Sequence, residues 1–151
     1  MKKKGRRAAR TAAPLAAAFL AALLLLAGCE AVPNDGSGGD KDNAIRLFEG
    51  SFKDGNVAKN GEQWFSFTVA SAGTYYIHVI FGTVEYLNLR VFNRNGSPVG
   101  GEVNLREHGA AWYFSRELPE PGTYRIRVRP YYSGDSGTYR IAYNTAAAAP
   151  Q

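Results

Sequence analysis

The sequence predicts an all-β protein, an antiparallel β-sandwich of about seven to eight strands, and three observations carry that expectation. Between Ala44 and Asn144 the chain consists of short stretches rich in Val, Ile, Tyr, Phe and Thr, separated by Gly, Asn, Asp and Pro. Within the stretches apolar and polar residues alternate, which sends successive side chains to opposite faces of a strand, and no segment of comparable strength has a helical period. One sheet would leave half of the resulting aromatic residues wet, so two sheets must face each other.

Ile45 and Leu47 make a weak opening strand. From Trp64 to Val69, Phe65, Phe67 and Val69 share one face and Trp64, Ser66 and Thr68 the other; the first set is assigned to the core. The next strand turns Tyr75, Ile77, Val79 and Phe81 inward, and the one after it Leu87, Leu89 and Val91. Asn95-Gly96 supplies the positive φ angles of a tight hairpin, so the strand ending near Asn93 should fold back toward Pro98 and Val99. Trp112, Phe114 and Leu118 point inward from the following strand, then Tyr124, Ile126 and Val128, and last Tyr139, Ile141 and Tyr143. Three strands begin alike, at Gly73-Thr74-Tyr75, Gly122-Thr123-Tyr124 and Gly137-Thr138-Tyr139. Their unequal spacing excludes a solenoid and marks a recurring way of starting a strand, with Gly releasing the backbone into the turn.

The 151 residues suffice for one such domain once the first 28 are set aside as an export signal. A basic stretch ends at Arg10, an apolar run extends from Thr11 to Leu26, and Ala27 and Gly28 are small, as at a cleavage site. Leu26-Ala27-Gly28-Cys29 resembles the bacterial lipobox, which implies that Cys29 is acylated and that lipid makes the membrane a partner of the mature chain. Glu30 stands where an Asp would resemble a signal for inner-membrane retention, so the expected location is the cell envelope, at the outer membrane or cell surface. Residues 30–43 are rich in Gly, Asp, Asn and Ser and read as a flexible tether. The expected organisation is a signal peptide at 1–28, the lipidated cysteine and tether at 29–43, the sandwich at 44–145 and a disordered tail at 146–151.

The formal charge of +5 does not describe the working domain. Of 18 Lys and Arg, six lie before Thr11, while all 13 Asp and Glu follow Gly28, which leaves twelve bases against thirteen acids. That balance gives no reason to expect a nucleic-acid partner. With Cys29 as the one cysteine, there is no intramolecular disulfide and no thiolate metal cluster. Asp35, Asp40, Asp42 and Asn43 offer closely spaced oxygens, but the calcium-loop spacing is absent and the stretch reads as a solvated linker; no cofactor is expected.

Several segments in order resemble the bacterial pre-peptidase C-terminal domain: Gln63 to Val69, Ala72 to Tyr75, Leu87 to Phe92, Pro121 to Val128 and Gly137 to Ile141. The resemblance covers residues 44–144 and implies a sandwich of jelly-roll type with a binding or accessory role and no catalytic residues among the motif positions. Asn88 stands where the family often has Asp, which weakens any carried-over calcium site.

No nucleophile elbow, zinc-protease helix or phosphate loop occurs, and His78 and His108 read as a strand residue and a loop residue, so an enzyme is not expected. Arg125, Arg127 and Arg129 alternate along one strand and so share a face, with Arg140 a candidate on a paired strand. Arginine suits bidentate contact with carboxylate or sulfate. Tyr131 and Tyr132 in the following loop can stack on a sugar ring or pack over the sandwich edge. These six residues form the candidate ligand-binding set, against the alternative of a solvated face whose arginines pair with Glu85 or Glu117. The expected protein is a monomeric, non-catalytic envelope lipoprotein that binds carbohydrate or an extracellular protein; the alternatives are a structural or assembly protein and an accessory of a separately encoded peptidase. Cys29→Ala is expected to abolish incorporation of labelled palmitate and leave the precursor unprocessed; continued labelling would contradict the lipobox assignment.

Overall fold

The computed structural model describes residues 39–106 and 111–151. The expected signal peptide, Cys29, the first part of the tether, Glu107 and His108 lie outside the described residues. The alternating stretches become strands, nine of them among the described residues: β1 (Ile45–Arg46), β2 (Lys53–Val57), β3 (Gln63–Val69), β4 (Gly73–Phe81), β5 (Tyr86–Phe92), β6 (Pro98–Arg106), β7 (Trp112–Leu118), β8 (Gly122–Pro130) and β9 (Gly137–Asn144). They form a five-stranded sheet in the order β1-β3-β8-β5-β6 and a four-stranded sheet in the order β2-β9-β4-β7. From β2 onward successive strands change sheet except at the β5–β6 hairpin, and these eight have the interleaved Greek-key order of a jelly roll.

The differences from the expected strands have physical reasons. Strand β2, with Lys53, Asp54, Gly55 and Asn56, has no apolar alternation; its place comes from antiparallel pairing with β9, and Val57 anchors it in the core. Strand β6 extends well past Pro98 and Val99, through Gly100-Gly101 to Arg106. Strand β1 pairs in parallel with β3, so the large sheet is mixed rather than purely antiparallel. In the hairpin only Gly96 takes a positive φ, of 79°, while the Asn93 side chain accepts from Asn95 N and Ser97 N at 3.0 and 2.9 Å. Residues 39–43, assigned by composition to the tether, already touch the domain: Trp64 N donates to Gly39 O at 2.7 Å, and Asp40 Oδ1 accepts from Asp42 N and Asn43 N at 2.8 Å each.

The core lies between the sheets. Phe65, Phe67, Val69, Tyr75, Ile77, Val79, Leu87, Leu89, Val91, Leu118, Tyr124, Ile126, Val128, Tyr139, Ile141 and Tyr143 are buried as expected, joined by Leu47, Val57, Val84 and Leu105. Phe81 and Phe114 are only half-buried, and Trp112 is exposed instead of inward. Phe114 and Trp112 sit on β7, an edge strand with a ladder partner on one side only. Arg116 follows them in the inward register and seals that rim: its guanidinium lies 4.9 Å over the Phe114 ring and Nη2 donates to Gly101 O at 2.6 Å.

The repeated strand start has two physical parts. Gly73, Gly122 and Gly137 hold φ of 153°, 145° and 148°, a region that disfavours side-chain-bearing residues. Two of the following tyrosines then reach back four residues, Tyr75 OH to Ser71 O at 3.0 Å and Tyr124 OH to Glu120 O at 2.8 Å. The third, Tyr139, instead crosses between sheets and donates to Gln63 Oε1 at 2.7 Å; the same oxygen accepts from Asn56 N at 3.0 Å. Burial raises the Tyr139 pKa well above the ordinary phenol value, so the hydroxyl remains a donor.

Gly55 lies under the Tyr139 ring so closely that a Cβ would run into it. Gly55→Ala is therefore expected to lose about 1–3 kcal/mol by overpacking, whereas Gly134→Ala, which meets nothing within 4 Å, should leave the urea midpoint unchanged.

Candidate functional site

The pleat that fills the core with Tyr124, Ile126 and Val128 sends Arg125, Arg127 and Arg129 to the outer face of the five-stranded sheet. Ladder register then fixes their neighbours. Arg127 lies between Trp64 on β3 and Arg90 on β5, and Arg129 lies beside Asn88. Arg46 on β1 pairs with Ser66, and Arg106 on β6 pairs with Tyr86, so both join this face. Six of the twelve basic residues that follow Gly28 thus sit on one face of one sheet.

At its centre one carboxylate gathers several donors. Glu102 Oε1 accepts from Arg127 Nη2 at 2.9 Å, Glu102 Oε2 lies 3.4 Å from Arg129 Nη2, and Arg90 Nη1 stands 3.7 Å from Oε1. Asn88, nearly inaccessible to solvent, donates from Nδ2 to Glu102 Oε2 at 3.1 Å and to Asn104 Oδ1 at 2.7 Å, while its Oδ1 accepts from Arg129 Nε at 3.0 Å. The Asn88 hydrogen bond, with the attraction of Arg129, Arg127 and Arg90, holds the Glu102 carboxyl below the ordinary glutamate value against a smaller effect of desolvation. Glu62 adds a second carboxylate, accepting from Trp64 Nε1 at 2.8 Å and lying 3.9 Å from Arg127 Nε. Trp64 faces outward as expected, yet it is buried, its ring 5.2 Å from that of Phe92, over which Arg90 and Arg127 both lie.

The two ends of the face differ from its centre. Among the described residues Arg125 has no carboxylate partner; its Nη1 reaches only Arg94 O at 3.5 Å. Arg46 rests 5.2 Å over Phe48, which is 54% exposed. At the opposite corner Tyr131 and Tyr132, 47% and 53% exposed, meet edge to face at 4.7 Å, and Tyr132 meets Tyr86 at 5.1 Å. Arg106 lies 5.4 Å from the centre of the Tyr86 ring.

Arg125, Arg127, Arg129, Tyr131 and Tyr132 are thus brought to one surface, and Arg140 is not. Strand β9 belongs to the other sheet, where Arg140 pairs with Asp54 at 3.6 Å and lies over Phe52 at 4.9 Å. Arg140 lines a cleft of ≈ 340 Å³ with Asp54, Asn56, Ile80 and Thr138, away from the arginine row. The acids beside the row are Glu102 and Glu62, in place of the expected Glu85 or Glu117; Glu117 accepts from Thr74 Oγ1 at 2.8 Å. Sequence reasoning missed Glu102, Asn88, Arg90, Arg106 and Tyr86, although Tyr86, Asn88 and Arg90 alternate with Leu87, Leu89 and Val91 and were open to the same parity argument. His78, on the outer face of the small sheet, is buried beneath residues of the expected tail, its Nε2 3.3 Å from Ala146 O; desolvation lowers its pKa. No group of three His, Cys, Asp or Glu side chains suited to a metal occurs among the described residues.

The fold and this surface define a jelly-roll sandwich with a basic, aromatic-edged outer face. No family model matches the chain, and no curated protein matches it. Among solved structures it is similar to the pre-peptidase C-terminal domain of a collagenase from Bacillus anthracis, with a TM-score of 0.51 and 20% identity over 66% of this chain and 93% of that one. At that identity the likeness is one of fold. A periplasmic inhibitor of g-type lysozyme from Aeromonas hydrophila (TM-score 0.43, 20% identity, 66% and 95% covered) and a surface-associated copper-binding protein of Methylomicrobium album BG8 (0.43, 9%, 70% and 95%) superimpose more loosely.

Because the folded-state pKa of Glu102 is depressed, its contribution to stability is present above the ordinary value of 4.5 and is lost as pH falls through the folded value. Urea midpoints of the wild type and Glu102→Gln are expected to differ at pH 7 and to draw together as pH is lowered below 4.5; a gap of constant size would show that the ion pairs do not contribute.

Proposed function

We propose that this chain is a non-catalytic binding module of the bacterial cell envelope, held to its membrane through Cys29, that engages an acidic glycan across the outer face of the five-stranded sheet. The observation that supports this most is the segregation of charge. A region with one more acid than base nevertheless places six arginines on a single sheet face. Six arginines against Glu102 and Glu62 leave that face with an excess of positive charge, and such an excess raises the local concentration of an oppositely charged polymer. Arginine favours carboxylate and sulfate by its planar fork, and the exposed Tyr131 and Tyr132 beside Arg129 supply flat faces for a ring.

The full chain, purified in detergent, is expected to bind an oligogalacturonate and to ignore its methyl-esterified counterpart, with affinity falling as salt rises. Arg125→Glu reverses a charge that has no carboxylate partner among the described residues. It should weaken binding roughly tenfold by calorimetry, the size expected for one exposed charge pair lost and one repulsion gained. Equal binding of the charged and esterified oligomers, or an unaffected Arg125→Glu variant, would refute the acidic-glycan reading.

A further inference from the structure

The centre of the basic face has more donors than its own acids can use. Arg90 Nε and Arg127 Nε are buried without a hydrogen-bond partner, even with Glu102 in place. Buried donors of this kind call for a physical reason. The acid that does fill the centre borders an irregularity in the β5–β6 ladder. Ladder partners run Leu89 with Val103 and then Val91 with Val99, so residues 100–102 of β6 stand opposite Arg90 alone. This is a bulge; Glu102, next to the regular Leu89–Val103 pair, stands opposite Arg90 on the outer face and meets Arg90, Arg127 and Arg129. The bulge lies on an edge strand and contains Gly100, at φ 72°, and Gly101. Gly101 O is held by Arg116 Nη2 at 2.6 Å, so the part free to move is the Glu102 side chain, one-third of which is exposed.

From this geometry we infer that Arg90, Arg127, Arg129 and Asn88 form a carboxylate-binding cradle, occupied at rest by Glu102 as an internal stand-in and taken over by a uronic-acid carboxylate of the bound glycan. The inference rests on the acidic-glycan reading above and names the position in which one acidic group of that ligand is held. Three donor side chains, Arg127, Arg129 and Asn88, with the Arg90 charge beside them, surround a single carboxylate and provide the charge-assisted bonds that such a group seeks. A ligand that displaces Glu102 keeps every one of those bonds and removes a negative charge from its own path. Glu102 is thus a competitor that sets affinity and selects against weak anions. No covalent bond changes: the Glu102 side chain rotates out into water, and the ligand's carboxylate takes its place.

The experiment compares the wild type, Glu102→Gln and Glu102→Asp, each as the full chain in detergent, binding oligogalacturonate, its methyl ester and oligoglutamate. Removing the internal charge is expected to tighten oligogalacturonate binding about fivefold, the scale of one surface charge pair; Glu102→Asp, whose carboxylate is one methylene shorter, should fall between. In the wild type, the Asn88 side-chain amide resonances should shift as the oligomer is added. Oligogalacturonate that binds the wild type but no more tightly to Glu102→Gln, with still Asn88 resonances, would overturn the cradle while leaving the acidic-glycan reading intact. No binding to any of the three proteins would overturn both. Oligoglutamate that matches oligogalacturonate and shifts Asn88 equally would support the cradle and refute the sugar as its ligand.

Discussion

Strand β8 carries the two halves of this molecule on one backbone. Tyr124, Ile126 and Val128 project from one side into the core, and Arg125, Arg127 and Arg129 from the other into water. Charges at alternate positions stand only about 7 Å apart along a strand, so three guanidinium groups in a row repel one another unless acids lie among them. Glu102 and Glu62 fill that need, one from each side of the central strands. Everything else about the outer face follows: the arginines next to these acids are quiet, and those beyond their reach, Arg125 and Arg46, keep their field.

The two sheets are tied together by polar as well as oily contacts. Phe67 meets Tyr143 at 4.7 Å and Tyr124 at 5.9 Å, and Phe65 meets Tyr139 at 6.2 Å, so rings from β3 interleave with rings from β8 and β9. Gln63, buried at the end of β3, receives both the Tyr139 hydroxyl and the Asn56 amide and so links three strands through one oxygen. A single departure from the Gly-Thr-Tyr pattern thus turns a local brace into a clasp between layers.

What could be read from the sequence depended on burial. Strands β3, β4, β5, β8 and β9 lie inside their sheets or load the core heavily, and their alternation was plain. Strand β2 has only Val57 fully within the core and carries Gly55 because Tyr139 leaves no room, so nothing in its composition announced a strand. Trp112 was assigned inward because alternation says nothing about where a sheet ends. The shared face of Arg125, Arg127 and Arg129 was legible from spacing, since parity within a strand is local. Arg140 was not: the same Gly-Thr-Tyr-Arg pattern starts β8 and β9, and only topology sends them to opposite sheets. Glu102 was hidden for a related reason: it meets Arg90, Arg127 and Arg129 only because the sheet order sets β6, β5 and β8 side by side.

The way the chain joins the large sheet has a mechanical consequence. Gly39 and β1 lie against β3, held by Trp64 N to Gly39 O at 2.7 Å, Leu47 N to Ser66 O at 2.8 Å and the parallel ladder between Ile45 and Phe65. A pull on the segment ahead of Gly39 is therefore transmitted sideways from β1 through β3 to β8 and β5, which carry Arg125, Arg127, Arg129 and Arg90, without passing through the four-stranded sheet. On the proposed reading, in which the chain is tethered through Cys29 and holds a polymer, tension between the two would run along one layer, with the other acting as its stiff backing.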